Sequence, residues 1–400
     1  MNAKDIYVTG AGIISAIGMG KQATLDALLN QQSGVGPIRY LKTKHTEFPV
    51  GEVKFSNDEM REMLDFPSGA ASIRSSLLGM LAVKEALQQA RLEHRDSLRV
   101  ALISGITVGG MDMVEQMYME FLETDRRNDY IDLNDCGSCT EQIADYFGGF
   151  VKVSTIVTAC SSSANTIMMG ADLIREGRVD IVVAGGTECL SRYHVNGFNT
   201  LMILDKELCR PFDRNRAGIN LGEGAGYLVL EAAATAEKRG VKPIGKITGY
   251  FNACDAYHQT ASSPDGEGAY LAMKGAIQDA GLRLEDIDYI NAHGTGTPNN
   301  DLTEGIAVMR LFGEQMPPIA SIKAYTGHTT SAAGSLEAVI SLLALEHNFY
   351  PVNMNFSNRI EEHHFTPVTD PTSTRPIHHI LSNSFGFGGN NSAIVLSKIL

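Results

Sequence analysis

The feature that most constrains the fold is a strand–helix–strand stretch in the first half of the chain. The β-branched run KVSTIV (152–157) and the apolar run VDIVVAG (179–185) each have the length and composition of a buried strand. Between them, residues 161–178 (SSSANTIMMGADLIREGR) have the pattern of a helix. Two strands joined by a helix form a βαβ unit, which implies a parallel sheet with helices on its faces. The sequence therefore predicts an α/β fold.

The same alternation continues along the rest of the chain. Further strands are predicted at 5–10, 98–104, 246–251, 287–292, 318–323, 378–384 and 391–397, with a turn at Gly10–Gly12, and helices at 74–91, 268–282 and 331–347. No linker or low-complexity segment separates the two halves, and KRGVKP (238–243) is the best candidate for a junction. We predict two halves, residues 1–240 and 241–400, that pack closely against each other rather than two independent domains.

Charge and composition restrict the classes of function. The chain carries 33 Lys and Arg against 46 Asp and Glu, a net charge of −13. Such a surface repels phosphate backbones, so we expect no nucleic-acid partner, and an acidic partner would need a local basic patch. The start MNAKDIYVTG lacks the features of a signal peptide, and no apolar stretch approaches the ~18 residues of a membrane span. Six cysteines favour reduced thiols over a disulfide framework. We expect a soluble, cytoplasmic protein without membrane contacts.

The first candidate for chemistry is Cys160 in VTACSSS (157–163). It lies where a predicted strand ends and a helix begins, and the positive end of a helix dipole favours a thiolate. The alternative is a buried cysteine that only fills space, as most free cysteines do.

Two further strand-to-loop turns carry reactive side chains. NAHGTGT (291–297) presents His293 with the hydroxyls of Thr295 and Thr297, and SIKAYTGH (321–328) presents Lys323 and His328. A lone histidine is usually a core residue. Ligands of parallel α/β sheets bind at the carboxyl ends of the strands, however, so the combination favours an active site.

Together these motifs resemble those of the elongating β-ketoacyl–acyl-carrier-protein synthases, the ketosynthases. Residues 210–231 (RPFDRNRAGINLGEGAGYLVLE) and 383–391 (NSFGFGGNN) are similar to further segments of that family, and all five motifs occur in the family's order. The resemblance extends from VTGAG at residue 8 to the C-terminus. It implies a thiolase fold, in which two similar halves form a five-layered α-β-α-β-α structure.

The resemblance also implies the reaction and the catalytic roles. The expected activity is decarboxylative Claisen condensation of an acyl thioester with malonyl-acyl-carrier protein to a 3-oxoacyl product, in fatty-acid or polyketide/polyene elongation. By this resemblance Cys160 accepts the acyl group, while His293 and His328 assist decarboxylation. Lys323 supports the site, paired with the carboxylate of Glu304.

Substrate binding follows from the same resemblance. Thr295 and Thr297 are expected to bind the pantetheine arm, Phe387 to gate the acyl pocket, and Phe385 to contact substrate. The backbone N–H groups of Phe387 and Cys160 are expected to form the oxyanion hole.

The expected partners are an acyl-carrier protein and a second copy of the chain, with a heterodimer containing a ketosynthase-like subunit as the alternative. We expect no metal and no resident cofactor, since the substrates travel on the carrier's phosphopantetheine arm. Cys136 and Cys139 form a CxxC without a second ligand pair, so a zinc or redox role is not expected.

Three other identities fit the sequence less well. A thiolase needs a second catalytic cysteine late in the chain, but the last cysteine is Cys254. Initiating ketosynthases use a Cys-His-Asn set of catalytic residues, whereas this chain has a second histidine, His328, in place of the asparagine. A non-elongating partner subunit, similar to a chain-length factor, lacks the nucleophile that Cys160 provides.

The sequence departs from the family pattern at a few positions. Ser331 stands where glycine is usual, and Asn390 where threonine is usual. The segment 66–76 has few basic residues for a carrier-docking region, which leaves chiefly Arg74. These departures concern acyl-chain specificity and carrier docking rather than the catalytic residues.

Overall fold

The computed structural model describes residues 5–94, 97–126, 128–372 and 376–399. The signal-peptide reading rests partly on residues 1–4, which lie outside the described residues. The strands are β1 Ile6–Ser15, β2 Gly18–Met19, β3 Val100–Gly105, β4 Lys152–Ile156, β5 Ile181–Glu188, β6 Gly224–Ala232, β7 Gly245–Cys254, β8 Tyr289–Asn291, β9 Ile319–Ala320, β10 His379–Gly386 and β11 Asn390–Ser397. The helices are α1 Lys21–Leu29, α2 Asn57–Met63, α3 Arg74–Gln89, α4 Met111–Thr124, α5 Asp129–Asp132, α6 Cys136–Phe147, α7 Ser162–Arg175, α8 Arg192–Thr200, α9 Ala233–Arg239, α10 Glu267–Asp279, α11 Pro298–Phe312, α12 Lys323–Thr326 and α13 Ala333–His347.

The strands form one mixed sheet in the order β4-β3-β5-β6-β1-β7-β11-β10-β8-β9, with β2 paired to β1. β4 and β5 both run parallel to β3, and α7 connects them, so the predicted βαβ unit is confirmed. In the second half, β8 runs parallel to both β9 and β10. Within the sheet, β1 pairs with β7 over only three residues, Ile6–Val8.

The helices give the layer order α-β-α-β-α that the resemblance implies. α3 packs on β1 and β6 on one outer face, and α10 packs on β7 and β11 on the other. α7 and α13 lie between, in contact with each other and with strands of both halves. α13 is apolar on nearly all sides, AGSLEAVISLLALEH, as a helix buried on every side must be. The largest apolar core surrounds these two central helices.

Two local predictions are wrong. The chain does not turn at Gly10–Gly12, because β1 continues through both glycines. A Cβ at Gly10 would lie 2.2 Å from the carbonyl oxygen of Ala86, and one at Gly12 would lie 1.9 Å from that of Ala82. The glycines therefore allow α3 to pack directly on the strand. The strand predicted at 318–323 ends at Ala320, and Lys323 begins the short helix α12.

The predicted junction falls in the short connection between α9, which ends at Arg239, and β7, which begins at Gly245. The division into halves at residue 240 stays a prediction. No helix among the described residues is long and apolar enough to span a membrane.

Candidate active site

Cys160 lies in a tight turn between β4 and α7. Ala159 before it has a φ of +52°, a left-handed conformation that non-glycine residues rarely adopt. The turn sits against β10, where a Cβ on Gly386 would lie 2.8 Å from the carbonyl oxygen of Thr158. The side chain is buried, and its Sγ lies 3.0 Å from Nε2 of His328. The local geometry thus aims the thiol at a histidine of the second half.

The expectation that the helix N-terminus lowers the pKa of this thiol is wrong. Burial raises the pKa of Cys160 to about 11, although the charge of Lys323 and the backbone N–H of Phe387 act in the opposite direction. Desolvation of the thiolate outweighs the local dipole, so the resting group is a thiol. The N–H groups of Phe387 and of Cys160 itself both act on the sulfur, where the oxyanion hole was expected.

The two predicted histidines come together beside this thiol. The rings of His293 and His328 are nearly perpendicular, at 82°, with centroids 5.3 Å apart. One ring nitrogen of each histidine and Sγ of Cys160 all lie within 4.8 Å of one another. Burial, reinforced by the charge of Lys323, holds the pKa of both imidazoles well below the usual range. Both rings are therefore neutral near pH 7, each with one N–H donor and one acceptor nitrogen.

His328 is positioned by the signature segment that precedes β6. Its backbone N–H donates to the carbonyl of Asn220 at 2.7 Å, and its own carbonyl accepts from Gly222 at 2.9 Å. Gly327 before it has a φ of +70°, which glycine adopts without strain. The segment 210–231 therefore holds in place the loop that carries His328.

Lys323 is completely buried, and its partner is not the predicted one. Its Nζ lies 2.6 Å from Oε1 of Glu337 on α13, donates to the carbonyl oxygen of His293, and lies 3.4 Å from that ring's Nδ1. The predicted pairing with Glu304 is wrong. Glu337 is not among the predicted site residues, although a glutamate inside a nearly all-apolar helix indicates a buried cation nearby.

Glu304 supports the site through the main chain instead. Its two carboxylate oxygens accept the backbone N–H groups of His293 and Gly294 at 2.8 Å each. Burial raises the pKa of Glu304 to about 7. Asp301, one turn earlier on α11, accepts the N–H of Gly296 at 3.1 Å, and unlike Glu304 it was not predicted. These two carboxylates hold the loop that carries His293.

A cavity of about 280 Å³ opens onto the thiol and the imidazoles. Its lining includes the predicted residues Cys160, His293, His328, Thr295, Thr297, Phe385 and Phe387, and also Phe198 and Met202, which sequence analysis missed. The hydroxyls of Thr295 and Thr297 lie 2.8 Å apart.

Two phenylalanines of the segment FGFGG (385–389) flank this cavity. The ring of Phe387 stacks on that of Phe198, with centroids 5.9 Å apart and planes at 20°. Gly388 and Gly389, which follow Phe387, have φ of +84° and +79°. The buried ring of Phe385 lies 5.8 Å from that of His293. The cavity therefore has an aromatic wall beside the thiol.

The departures from the family pattern have structural explanations. The hydroxyl of Ser331 donates to Oε2 of the buried Glu188 at 2.6 Å. Oδ1 of Asn390 accepts from the hydroxyl of Ser161 at 2.7 Å, which ties β11 to the turn after the thiol. Arg74 is buried and pairs with Glu223 at 2.6 Å, so its suggested role in carrier docking is wrong.

Two family models match this chain. Residues 3–236 match the family model of the β-ketoacyl synthase N-terminal domain, and residues 244–357 match that of the C-terminal domain. The chain belongs to the β-ketoacyl synthase family.

Curated relatives and solved structures extend over the full length of this β-ketoacyl synthase. The 3-oxoacyl-[acyl-carrier-protein] synthase 2 of Coxiella burnetii is 33% identical, over all of both chains. The protein of that name from Staphylococcus aureus is 31% identical, over 99% of this chain and 98% of the relative. The solved ishigamide ketosynthase/chain length factor superposes with a TM-score of 0.92 at 30% identity, covering 99% of each chain.

A ketosynthase in complex with its chain length factor from Xenorhabdus doucetiae has a TM-score of 0.84 at 29% identity, over 99% of this chain and 98% of that one. These findings confirm the predicted family, the thiolase fold and the reaction type of an acyl-transferring 3-oxoacyl synthase.

Proposed function

We propose that this β-ketoacyl synthase transfers an acyl group to Cys160 and condenses it with malonyl-acyl-carrier protein, releasing carbon dioxide and a 3-oxoacyl-carrier product. One observation carries the proposal: a thiol and two neutral imidazoles lie within 4.8 Å of one another at a cavity lined by two threonine hydroxyls. A thiolate is both a nucleophile and a leaving group, which condensation of two thioesters requires.

The acyl-transfer half uses His328 as the base. Because burial raises the pKa of the Cys160 thiol to about 11, its proton must leave during the attack, and Nε2 of His328 lies 3.0 Å away. The sulfur attacks the thioester carbonyl, and the N–H groups of Phe387 and Cys160 stabilise the oxyanion. The tetrahedral intermediate expels the pantetheine thiolate, which takes the proton from His328.

The condensation half uses both imidazoles as donors. Loss of carbon dioxide from the malonyl thioester leaves negative charge on the thioester oxygen, and N–H groups of His293 and His328 stabilise it. The ammonium of Lys323 lies 3.4 Å from Nδ1 of His293, which makes that nitrogen an acceptor and places the ring N–H on Nε2. The enolate carbon then attacks the acyl-Cys160 carbonyl, the bond to sulfur breaks, and the released Cys160 thiolate takes a proton from solvent through the open cavity.

The cavity walls supply substrate binding in this proposal. The hydroxyls of Thr295 and Thr297 offer polar contacts to the amides of a pantetheine arm. Phe387 blocks the acyl pocket when Cys160 is free and moves aside on acylation, with Gly388 and Gly389 absorbing the backbone change. Phe385 contacts substrate beside His293.

No resident metal or cofactor is required, because the thiol and the imidazoles supply the nucleophile, the base and the donors. Thiol and imidazole groups also ligate zinc, but the ammonium of Lys323 beside His293 opposes a bound cation.

The partners proposed for this chain are an acyl-carrier protein and a second copy of itself. β4 is an edge strand of the sheet, and the apolar side chains around it, Val151, Val153 and Val157, are exposed. An exposed apolar edge strand is a template for pairing with another chain. A heterodimer through the same edge is the alternative, supported by the solved relatives that include a chain length factor. The presence of Cys160 beside His328 disfavours a non-elongating role.

The test is incubation of purified protein with acyl- and malonyl-loaded carrier proteins, followed by mass spectrometry of the carrier. The expected product is a 3-oxoacyl-carrier, two carbons longer than the acyl substrate, formed with one carbon dioxide per turnover. A carrier that returns unchanged, with Cys160 never acylated, would contradict the proposal. The mass of the acyl chain after repeated turnover distinguishes fatty-acid from polyketide or polyene elongation.

A further inference from the structure

Two segments that are far apart in the chain supply the N–H groups beside the thiol. They are the nucleophile turn, residues 158–161, and the gate segment Phe387–Gly389. The N–H groups of Cys160 and Phe387 both act on the Cys160 sulfur. An oxyanion hole is effective only when its donors lie about 2.7–3.1 Å from the same oxygen. The position of Phe387 relative to Cys160 must therefore be fixed, although two glycines with positive φ follow Phe387.

The side chain of Asn390 joins these two segments. Asn390 begins β11 directly after the gate segment, and its Oδ1 accepts from the hydroxyl of Ser161 in the nucleophile turn at 2.7 Å. The same oxygen accepts from Nδ2 of Asn165 on α7 at 3.0 Å and from Nδ2 of Asn252 on β7 at 2.8 Å. Donors from three different elements thus converge on one side-chain oxygen.

The asparagines around Asn390 continue the network to the turn and to β11. Nδ2 of Asn165 donates to the hydroxyl of Thr158 at 2.8 Å, and Nδ2 of Asn252 donates to the hydroxyl of Ser392 at 2.8 Å. The hydroxyl of Ser392 in turn donates to Oδ1 of Asn165 at 3.1 Å. A polar network whose members find partners on several elements makes the local structure rigid.

The main chain opposite Asn390 packs directly on the nucleophile turn. Gly386, at the end of β10, pairs with Asn390 in the ladder between β10 and β11. A Cβ on Gly386 would lie 3.3 Å from the backbone nitrogen of Cys160 and 3.2 Å from Oγ of Ser161. The end of this hairpin therefore lies against the turn, and the gate segment spans the gap between Gly386 and Asn390.

We infer that Asn390 is a positioning residue for acyl transfer, whose side-chain oxygen holds the N–H groups of Phe387 and Cys160 on one oxyanion while the Phe387 ring moves. The anchor confines gate movement to the three residues between Gly386 and Asn390. It assigns Asn390 to acyl transfer rather than to acyl-chain specificity. The inference rests on the proposed function, since the oxyanion forms when the Cys160 sulfur attacks the thioester carbonyl. Decarboxylation uses the histidine donors and does not depend on this anchor.

The experiment measures both half-reactions in three variants of Asn390. Asn390→Leu removes the oxygen at nearly constant size, whereas Asn390→Asp keeps an acceptor oxygen at the same position. Asn390→Ala removes the oxygen without adding bulk, so the test also holds if the leucine variant does not fold. One readout is the rate of Cys160 acylation against the concentration of acyl-loaded carrier protein, by mass spectrometry of the intact protein. The other is carbon dioxide release from malonyl-loaded carrier.

We expect Asn390→Leu to lower the maximal acylation rate ~10²-fold, the scale of a displaced oxyanion donor, with an unchanged half-saturating carrier concentration. Its carbon dioxide release should stay within about threefold of the unmodified protein, because the histidine donors are intact. Asn390→Ala should show the same difference between the half-reactions. Asn390→Asp should acylate within about tenfold of the unmodified protein, since it still accepts from Ser161, Asn165 and Asn252.

Three results would overturn the assignment. The first is a leucine variant that acylates at the unmodified rate. The second is an equal loss of acylation and carbon dioxide release in the leucine and alanine variants, because a disturbed fold affects both half-reactions. The third is an aspartate variant as slow as the leucine variant, because the acceptor oxygen would then not be the group that matters.

Failure of the proposed function has a different signature. In that case the unmodified protein neither acylates Cys160 nor releases carbon dioxide. Failure of the Asn390 assignment alone leaves both half-reactions of the unmodified protein intact.

Discussion

Replacing His328 separates its role as a base from its role as a donor. At pH 7 a thiol of pKa about 11 is ionised in about one molecule in 10⁴, which corresponds to about 5 kcal/mol for forming the free thiolate before the attack. A base at 3.0 Å avoids this separate step, because it takes the proton while the bond from sulfur to the carbonyl carbon forms. We therefore expect His328→Ala to acylate Cys160 about 10²- to 10⁴-fold more slowly than the unmodified protein. No hydrogen bond joins His293 to the thiol in the described part of the chain, so His293→Ala should keep acylation within about tenfold while losing decarboxylation by ~10²-fold or more.

The pH dependence of acylation in His328→Ala follows from the raised pKa of the Cys160 thiol. Below pH 11 the thiolate fraction rises with pH, so acylation of His328→Ala should accelerate about tenfold per pH unit between pH 7 and 9. His328→Asn is the matched variant, because it keeps an N–H donor but cannot act as a base. It should acylate as slowly as His328→Ala but decarboxylate faster.

The assay is intact-protein mass spectrometry of acyl-Cys160 after rapid mixing with acyl-loaded carrier, alongside carbon dioxide release from malonyl-loaded carrier. Acylation of His328→Ala at the unmodified rate and without pH dependence would refute the assignment of His328 as the base. Equal acylation losses in the His293 and His328 variants would refute the division of roles.

Three other outcomes are expected. Glu337→Gln leaves the buried ammonium of Lys323 without its carboxylate, so the free energy of unfolding in denaturant should fall by ~3 kcal/mol or more; an unchanged midpoint would show that the ion pair is dispensable. In a crystal structure of the acyl-enzyme, Phe387 should have left its stacked position on Phe198, whereas an unchanged rotamer would identify a fixed core aromatic. Peptide mapping after incubation with acyl-carrier protein should find the acyl group on Cys160 alone, and any second acylated cysteine would contradict a single nucleophile.

Much of the fold could be predicted because its signals are local. The β-branched runs before and after α7 define a βαβ unit without any knowledge of the rest of the chain. The apolar character of α13 on all sides places it in the centre of the molecule. The motifs around Cys160, His293 and His328 follow strand ends, and the folded chain brings the three side chains together although their strands lie at opposite ends of the strand order.

The errors concern properties that depend on distant parts of the chain. Glu304 and Glu337 are both glutamates on helices of the second half, and only the packing of α13 against the site decides which one meets Lys323. The helix position of Cys160 is local and favours a thiolate, but its burial is a property of the whole fold and reverses the sign. Gly10 and Gly12 have the composition of a turn, and only the approach of α3 explains them as a packing surface.

The central claim is that one cavity runs two half-reactions with different side chains, and Cys160→Ala tests it most directly. This variant retains His293 and His328, so it should still release carbon dioxide from malonyl-loaded carrier protein while forming no 3-oxoacyl product. The measurement is carbon dioxide release and carrier mass in the same reaction. A Cys160→Ala protein that loses carbon dioxide release together with condensation, or one that still condenses, would contradict the account.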